Sequence, residues 1–252
     1  MVAAGTYAIR AAVVGHGAAA GPACSATNGT TTYAFDLAQA ANASTIAAVG
    51  KRLGLADHAV TVGLAAALQE SRLRNLPYGD LDSLGLFQQR PSQGWGTPAQ
   101  LQTPSYAAAA FFGRLAHVAG WQDMTVADAA QAVQHSAAPS AYAQWEAQAR
   151  VMAEALTGEV AAGFTCRASV GRATPTDAAA LTQALGSELG PVDLAGPVPA
   201  PRGWVVASWI VGHAQRFAVS SVQFSGWRWT AGAGKWASDA AAGSQLVLNN
   251  AA

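Results

Sequence analysis

Charge is scarce in this sequence. Fourteen Lys and Arg residues balance fourteen Asp and Glu, so 11% of the chain is charged and the formal net charge is zero. A protein that grips a phosphate backbone needs a basic face, and this composition supplies none, which speaks against a nucleic-acid partner. Cysteine is scarcer still, with two in 252 residues. Neither has a Cys or His neighbour at ligand spacing, so no metal site is expected, and no cofactor is implied. Cys24 and Cys166 stand near the two ends of one organised block. A disulfide between them is the expectation, with two free buried thiols as the alternative. Closing so long a loop contributes roughly 4 to 5 kcal/mol in the chain-entropy model, and such a bond persists only in an oxidising place. That points to the extracellular space or the cell envelope.

Long apolar runs are missing as well. The opening "MVAAGTYAIRAAVVGHGAAAGPACSA" is small and apolar, but Arg10, His16 and Pro22 interrupt it and no basic segment precedes it. It suits neither a signal-peptide core nor a membrane span. Residues 1–23 are therefore expected to follow an export signal or a membrane anchor lying upstream of the present chain. The "GPAC" before Cys24 lacks the leucine of a lipoprotein cleavage box. No fixed-period repeat and no heptad run appears.

Apolar residues make up 51% of the chain, enough for a sizeable core. Alanine favours helix, and eight tryptophans exceed what filling such a core requires, so some are expected to face a ligand. "DLAQAANASTIAAVGKRL" (36–53) reads as a helix with Asp36 as N-cap. A second helix is expected from just after Asp57 to about Asn75, and its apolar stretch from Ala59 to Leu68 marks it as buried on all faces. Three more helical segments follow: 104–118 with Pro104 in the first turn, 126–137 behind a Thr125/Asp128 pair, and 140–156 ending at Gly158. The block 24–166 thus reads as nearly all helix.

Prolines at 175, 191, 197, 199 and 201 punctuate residues 167–202, which read as a linker with one short helix around 176–189. In 203–252, "GWVVASWIVGHAQRF" has helical spacing, while "AVSSVQF", "WRWTAG" and "SQLVLNN" alternate like strands, with Gly232 and Gly234 near a turn. A small α/β module is expected there. His213 on its helix reads as structural. Trp227, Trp229 and Trp236 either close that small core or form a carbohydrate- or protein-binding face.

Glu70 closes the second helix. Low dielectric and the negative end of the helix dipole both disfavour its charge, so its pKa is expected to be raised. A carboxylic acid that stays protonated near neutrality can protonate a leaving oxygen. The plainer reading pairs Glu70 with Arg74, four residues on. The loop that follows, "SLGLFQQRPSQGWG", offers Gly85 for close backbone approach and Gln88 and Gln89 as amides suited to sugar hydroxyls. Tyr78, Trp95 and Tyr142 are candidates to stack on pyranose faces, Trp95 foremost, while Trp121 and Trp145 read as core. Arg90 is placed to meet a carboxylate or to lie at the surface.

Glu70-Ser71 at the end of a hydrophobic helix, followed by Gly85-Leu86-Phe87-Gln88, resembles the lysozyme superfamily of lytic transglycosylases and goose-type lysozymes. With "AAQAVQHSAAPSAYAQWE" added, residues 24–166 resemble secreted actinobacterial lysozyme-like cell-wall proteins. The resemblance implies a mainly α lysozyme-like domain of the α+β superfamily, followed by the small α/β module. It also implies cleavage of the β-1,4 bond between N-acetylmuramic acid and N-acetylglucosamine in peptidoglycan, with Glu70 as catalytic acid and Ser71 and Gln88 beside it. Such a transglycosylase works with one Glu, acid then base, while the muramyl 6-hydroxyl attacks. A muramidase using water needs a second carboxylate, for which Asp82 is the first choice and Asp80 the other, either of them equally readable as a turn-stabilising Asp. Phe87 stands where the family usually has methionine. "VQHS" replaces a Y-N-A-G type segment, placing Gln134, His135 and Ser136 on that wall or leaving His135 exposed at a helix end. The tail resembles modules of wall-associated proteins, implying wall or protein contact. The alternative of a different class is an inactive lysozyme-fold protein that binds glycan or assists wall assembly.

Overall fold

Asp36 caps the first helix as its position suggests. In α1 (Leu37–Arg52), Asp36 accepts the Gln39 N–H at 2.9 Å and Gln39 Oε1 accepts the Asp36 N–H at 3.0 Å, a reciprocal capping box. The computed structural model describes residues 23–136 and 138–251, so residues 1–22 of the expected anchor-proximal segment lie outside the described residues. Among the described residues the chain is mixed α and β, with eight helices and two antiparallel sheets.

The second helix, α2 (Asp57–Ser71), buries every residue from Ala59 to Leu68. It lies among α1, α4 (Pro104–Leu115), α5 (Val126–Gln134) and α6 (Glu146–Thr157), which explains an apolar surface with no polar face. Phe112 of α4 fits against Gly63, where a Cβ would come within 2.8 Å of its ring. A short α3 (Pro98–Leu101) precedes α4.

Helix α2 stops at Ser71, short of the expected Asn75. Arg72 and Leu73 are both left-handed, at φ 55° and 61°, and the Arg72 N–H returns to the Leu68 carbonyl at 3.1 Å. Such a conformation costs a side-chain-bearing residue about 1 to 2 kcal/mol. Two side chains of α1 hold it: Gln39 Nε2 donates to the Arg72 carbonyl at 2.9 Å and Asn42 Nδ2 to the Leu73 carbonyl at 2.7 Å.

The expected single helix through 140–156 divides into a 3-10 segment, Pro139–Trp145, followed by α6. A 3-10 turn eclipses residues three apart, and Tyr142 and Trp145 are such a pair. Both turn onto the end of α2: the Tyr142 hydroxyl donates to Glu70 and Trp145 Nε1 to Gln69.

The block read as nearly all helix also contains a sheet. Strands β1 (Ala23–Thr27), β2 (Thr32–Phe35) and β3 (Phe164–Arg167) pair antiparallel in the order β2-β1-β3. Cys24 lies directly across from Cys166, and the two form the expected disulfide. These strands are four or five residues long, too short for a pattern that outweighs the surrounding helical signal.

Residues 167–202 are packed rather than a free linker. Their helix α7 (Pro175–Leu189) lies on α1 and buries Leu181, Leu185 and Leu189 in the same apolar core as the preceding helices. Helix α8 (Ala200–Gly212) packs on α1, α6 and the second sheet. That sheet comprises β4 (Val219–Phe224), β5 (Trp227–Thr230), β6 (Lys235–Ser238) and β7 (Val247–Asn250) in the order β6-β5-β4-β7. Strand β6 carries Trp236 and pairs with β5 through a turn carrying Gly234 at φ 62°, in keeping with the turn expected near Gly232 and Gly234. Trp229 Nε1 donates to the Cys166 carbonyl at 3.0 Å and Trp236 Nε1 to the Phe164 carbonyl at 2.8 Å. These two tryptophans therefore join the second sheet to β3.

Candidate active site

Glu70 sits half-buried one residue before the end of α2. The Tyr142 hydroxyl donates to its Oε1 at 2.6 Å, and Gln134 supplies a further side-chain hydrogen bond. Burial raises its pKa above the ordinary carboxylate value, against the smaller opposing effects of Tyr142 and Gln134. Burial first, and the Glu70 carboxylate second, push the Tyr142 phenol far up, so Tyr142 remains a donor. The alternative Glu70–Arg74 ion pair does not form. Arg74 instead reaches Asp36 at 2.6 Å, because the helix ends before its side chain can return along the α2 face.

The Gly85-Leu86-Phe87-Gln88 segment is a loop closed by backbone bonds between Leu84 and Gln89, at 2.9 and 3.0 Å. Three contacts fix it beside the end of α2. Ser71 Oγ donates to the Leu86 carbonyl at 2.7 Å, Gln134 Nε2 to the Phe87 carbonyl at 2.7 Å, and the Gly85 N–H to the Leu76 carbonyl at 2.8 Å. Ser71 is buried, so its hydroxyl holds the loop rather than meeting a sugar. Gly85, at φ 78°, permits close approach to the protein's own Leu101 carbonyl, which a Cβ would meet at 2.3 Å. Phe87 is buried and stacks on Phe111 at 4.8 Å.

Several candidates are engaged elsewhere. Gln89 is buried and donates to the Ala107 carbonyl at 3.1 Å, so it serves packing rather than substrate. Gln88 is half-buried and left-handed at φ 47°, and its amide donates to the Gly85 carbonyl at 3.1 Å. Trp95 is not an exposed stacking platform: it is buried, with the Arg114 guanidinium 3.3 Å from its ring centre. Tyr142 is likewise wholly buried and acts through its hydroxyl. Tyr78 alone of the three expected aromatic platforms is exposed, at 68%, beside a cavity of about 420 Å³ formed with Leu81, Asp82, Ser83 and Pro91. Trp121 is buried as expected, whereas Trp145 is half-buried with Arg72 over its ring at 3.9 Å.

Asp82 is not poised as a second catalytic carboxylate. It accepts from Arg90 Nε at 2.6 Å, from the Ser92 N–H at 2.8 Å and from Ser92 Oγ at 3.0 Å. The Arg90 hydrogen bond, followed by those of Ser92, holds its carboxyl well below the usual carboxylate range, which makes it a poor base. Arg90 is occupied by the same contact, and no bond from Asp80 to the site is formed among the described residues. His135 is the left-handed cap of α5 and exposed, in keeping with the helix-end reading.

The structure thus brings together Glu70, Tyr142, Gln134 and Ser71, with the Gly85–Gln88 loop alongside. The missing signal in the sequence was backbone conformation. Arg72, Leu73, Leu81 and Gln88 are all left-handed without being glycine, and such strain gathers where surrounding structure over-determines a site. A larger cavity, about 780 Å³, lies between α1, α7 and α8, and Glu70 is not among its lining residues. In comparisons with known proteins, no family model and no curated protein matches the chain.

Proposed function

We propose that this protein cleaves the glycan strand of peptidoglycan at the β-1,4 bond from N-acetylmuramic acid to N-acetylglucosamine, with Glu70 as the general acid and then the base. The observation that carries the reading is Glu70 itself. It is a partly buried acid with a raised pKa at the end of an apolar helix, and Tyr142 occupies one oxygen. Oε2 then carries the transferable proton, because Oε1 already accepts the tyrosine hydrogen. As the glycosidic oxygen departs with that proton, the Tyr142 and Gln134 hydrogen bonds stabilise the carboxylate left behind. The same carboxylate next accepts a proton from the attacking hydroxyl.

The commitment of Asp82 to Arg90 and Ser92 favours attack by the muramyl 6-hydroxyl, a lytic transglycosylase outcome, over activation of water by a second carboxylate. An extracellular or cell-envelope location fits the disulfide, since such a bond needs an oxidising compartment. The test is digestion of purified peptidoglycan by wild type and by Glu70→Gln, with the fragments weighed by mass spectrometry. Anhydro products from wild type and none from the variant are expected. Equal release by both removes Glu70 from the reaction, and reducing-end products assign a hydrolase.

The non-catalytic reading, a glycan-binding or wall-assembly protein of the same fold, draws support from one contact. The Tyr142 bond at 2.6 Å favours the ionised form of Glu70, as a structural carboxylate would require. Saturable glycan binding with no fragment release distinguishes it.

A further inference from the structure

The 780 Å³ cavity is walled by the start of α1, the N-terminus of α4, α7 and the turn after α8. Its volume is that of a small-molecule site. Two titratable groups lie against it with little exposure, Glu188 at 9% and His213 at 5%. Thr45 Oγ1 and Trp209 Nε1 both donate to the same Glu188 oxygen, Oε2, each at 2.7 Å. Glu188 Oε1 has no hydrogen-bond partner among the described residues. Both donors go to Oε2, so Oε1 is left open on the cavity side to an incoming N–H or O–H. Nearby, Asn42 and Gln102 use their amide hydrogens on the Leu73 and Leu76 carbonyls, each at 2.7 Å, which leaves their oxygens as acceptors. His213 adds no positive charge here, since burial pushes it below its ordinary range in spite of Glu188.

The mouth has the opposite polarity. Helix α4, twelve residues long, begins at the cavity with Pro104 in its first turn, and Thr103 provides no side-chain cap. Its first N–H groups and the positive end of its dipole are therefore open to an anion. Arg216 also lines the cavity; it is exposed, rests over Phe217 at 4.8 Å, and makes no ion pair among the described residues.

We propose that this cavity binds a small zwitterion of the amino-acid or short-peptide class, its ammonium on Glu188 Oε1 and its carboxylate between Arg216 and the first turn of α4. The pairing uses both charges, and it is independent of Glu70. Isothermal titration of the full chain with the dipeptide alanylalanine, its N-acetyl form and its C-terminal amide tests it. Saturable binding of the free dipeptide is expected, weakened about tenfold or more by either cap, as loss of a charge-assisted contact entails. Glu188→Gln and Arg216→Ala should each weaken it by a similar factor, while Glu70→Gln leaves it unchanged. Arg216 is exposed, so its variant and the capped ligands remain decisive even where Glu188→Gln perturbs folding. No binding of the free dipeptide up to about 10 mM, a dissociation constant at the weak end of the measurable range, overturns the proposal. Equal binding of capped and free forms overturns it too.

Discussion

Consider breaking the Cys24–Cys166 bridge by reduction, with Cys24→Ala/Cys166→Ala as the permanent form. The two residues are 142 apart in sequence and face each other across β1 and β3, so the bond closes nearly the whole first block into one loop. Chain-entropy loss for a loop of that length is about 17 cal/mol/K, or about 5 kcal/mol at 25 °C, and measured bridges commonly deliver somewhat less. The expected loss of stability is therefore about 3 to 5 kcal/mol. If the effect resides in the unfolded chain, reduction also lets that chain expand and expose more surface. The slope of unfolding free energy against urea should then increase as the midpoint falls. Oxidised and reduced protein would be unfolded in urea and followed by tryptophan fluorescence, which reports Trp229 and Trp236 beside β3 as well as the helical block. A midpoint that falls while the slope stays fixed refutes the loop argument and moves the effect to native packing around the sulfurs. A loss below about 1 kcal/mol refutes it altogether.

Other outcomes are specific to single side chains. The raised pKa of Glu70 means that the folded state favours its protonated form. The stability it contributes is complete below its unfolded value and is lost as pH rises through the folded value. Glu70→Gln should therefore be more stable than wild type above that range and nearly equal to it in acid, as read from urea midpoints along a pH series; the opposite trend would place Glu70 in an ionic structural role. Asp82→Asn should retain glycan cleavage within about threefold, since Asp82 holds Arg90 and Ser92, and a loss of about 100-fold or more would return it to the chemistry. The depressed Asp82 group contributes stability above its unfolded value that disappears as pH falls toward the folded one, a dependence Asp82→Asn abolishes. Trp229→Phe leaves the buried Cys166 carbonyl without its indole donor, which should cost about 1 to 3 kcal/mol in the same urea assay; an unchanged midpoint would show that water replaces the indole.

Local chemistry in the chain sufficed for a good deal. Asp36 and Thr125 as caps, the all-round apolar α2, Pro104 in a first turn and Gly158 after a last one are each written in a few adjacent residues. The position of Glu70 at the end of a buried helix, and the direction of its acidity shift, follow from the same short-range signals. So does the disulfide, because two cysteines with no metal-ligand neighbours have few other fates.

Only tertiary structure decided which partners those groups found. Glu70 takes Tyr142 rather than Arg74 because Gln39 and Asn42, some thirty residues earlier, hold the chain in a left-handed exit after Ser71. Asp82 is held by Arg90 through a loop geometry that no periodicity records, and Trp95 is covered by an arginine nineteen residues further on. The short helix expected in the proline-rich linker is α7, but it is packed, since three of its leucines found a face of α1 to cover. Backbone propensity acts over a few residues and is legible in them. Hydrogen-bond partners and burial depend on which distant surfaces pack together, and that is legible only in the folded chain.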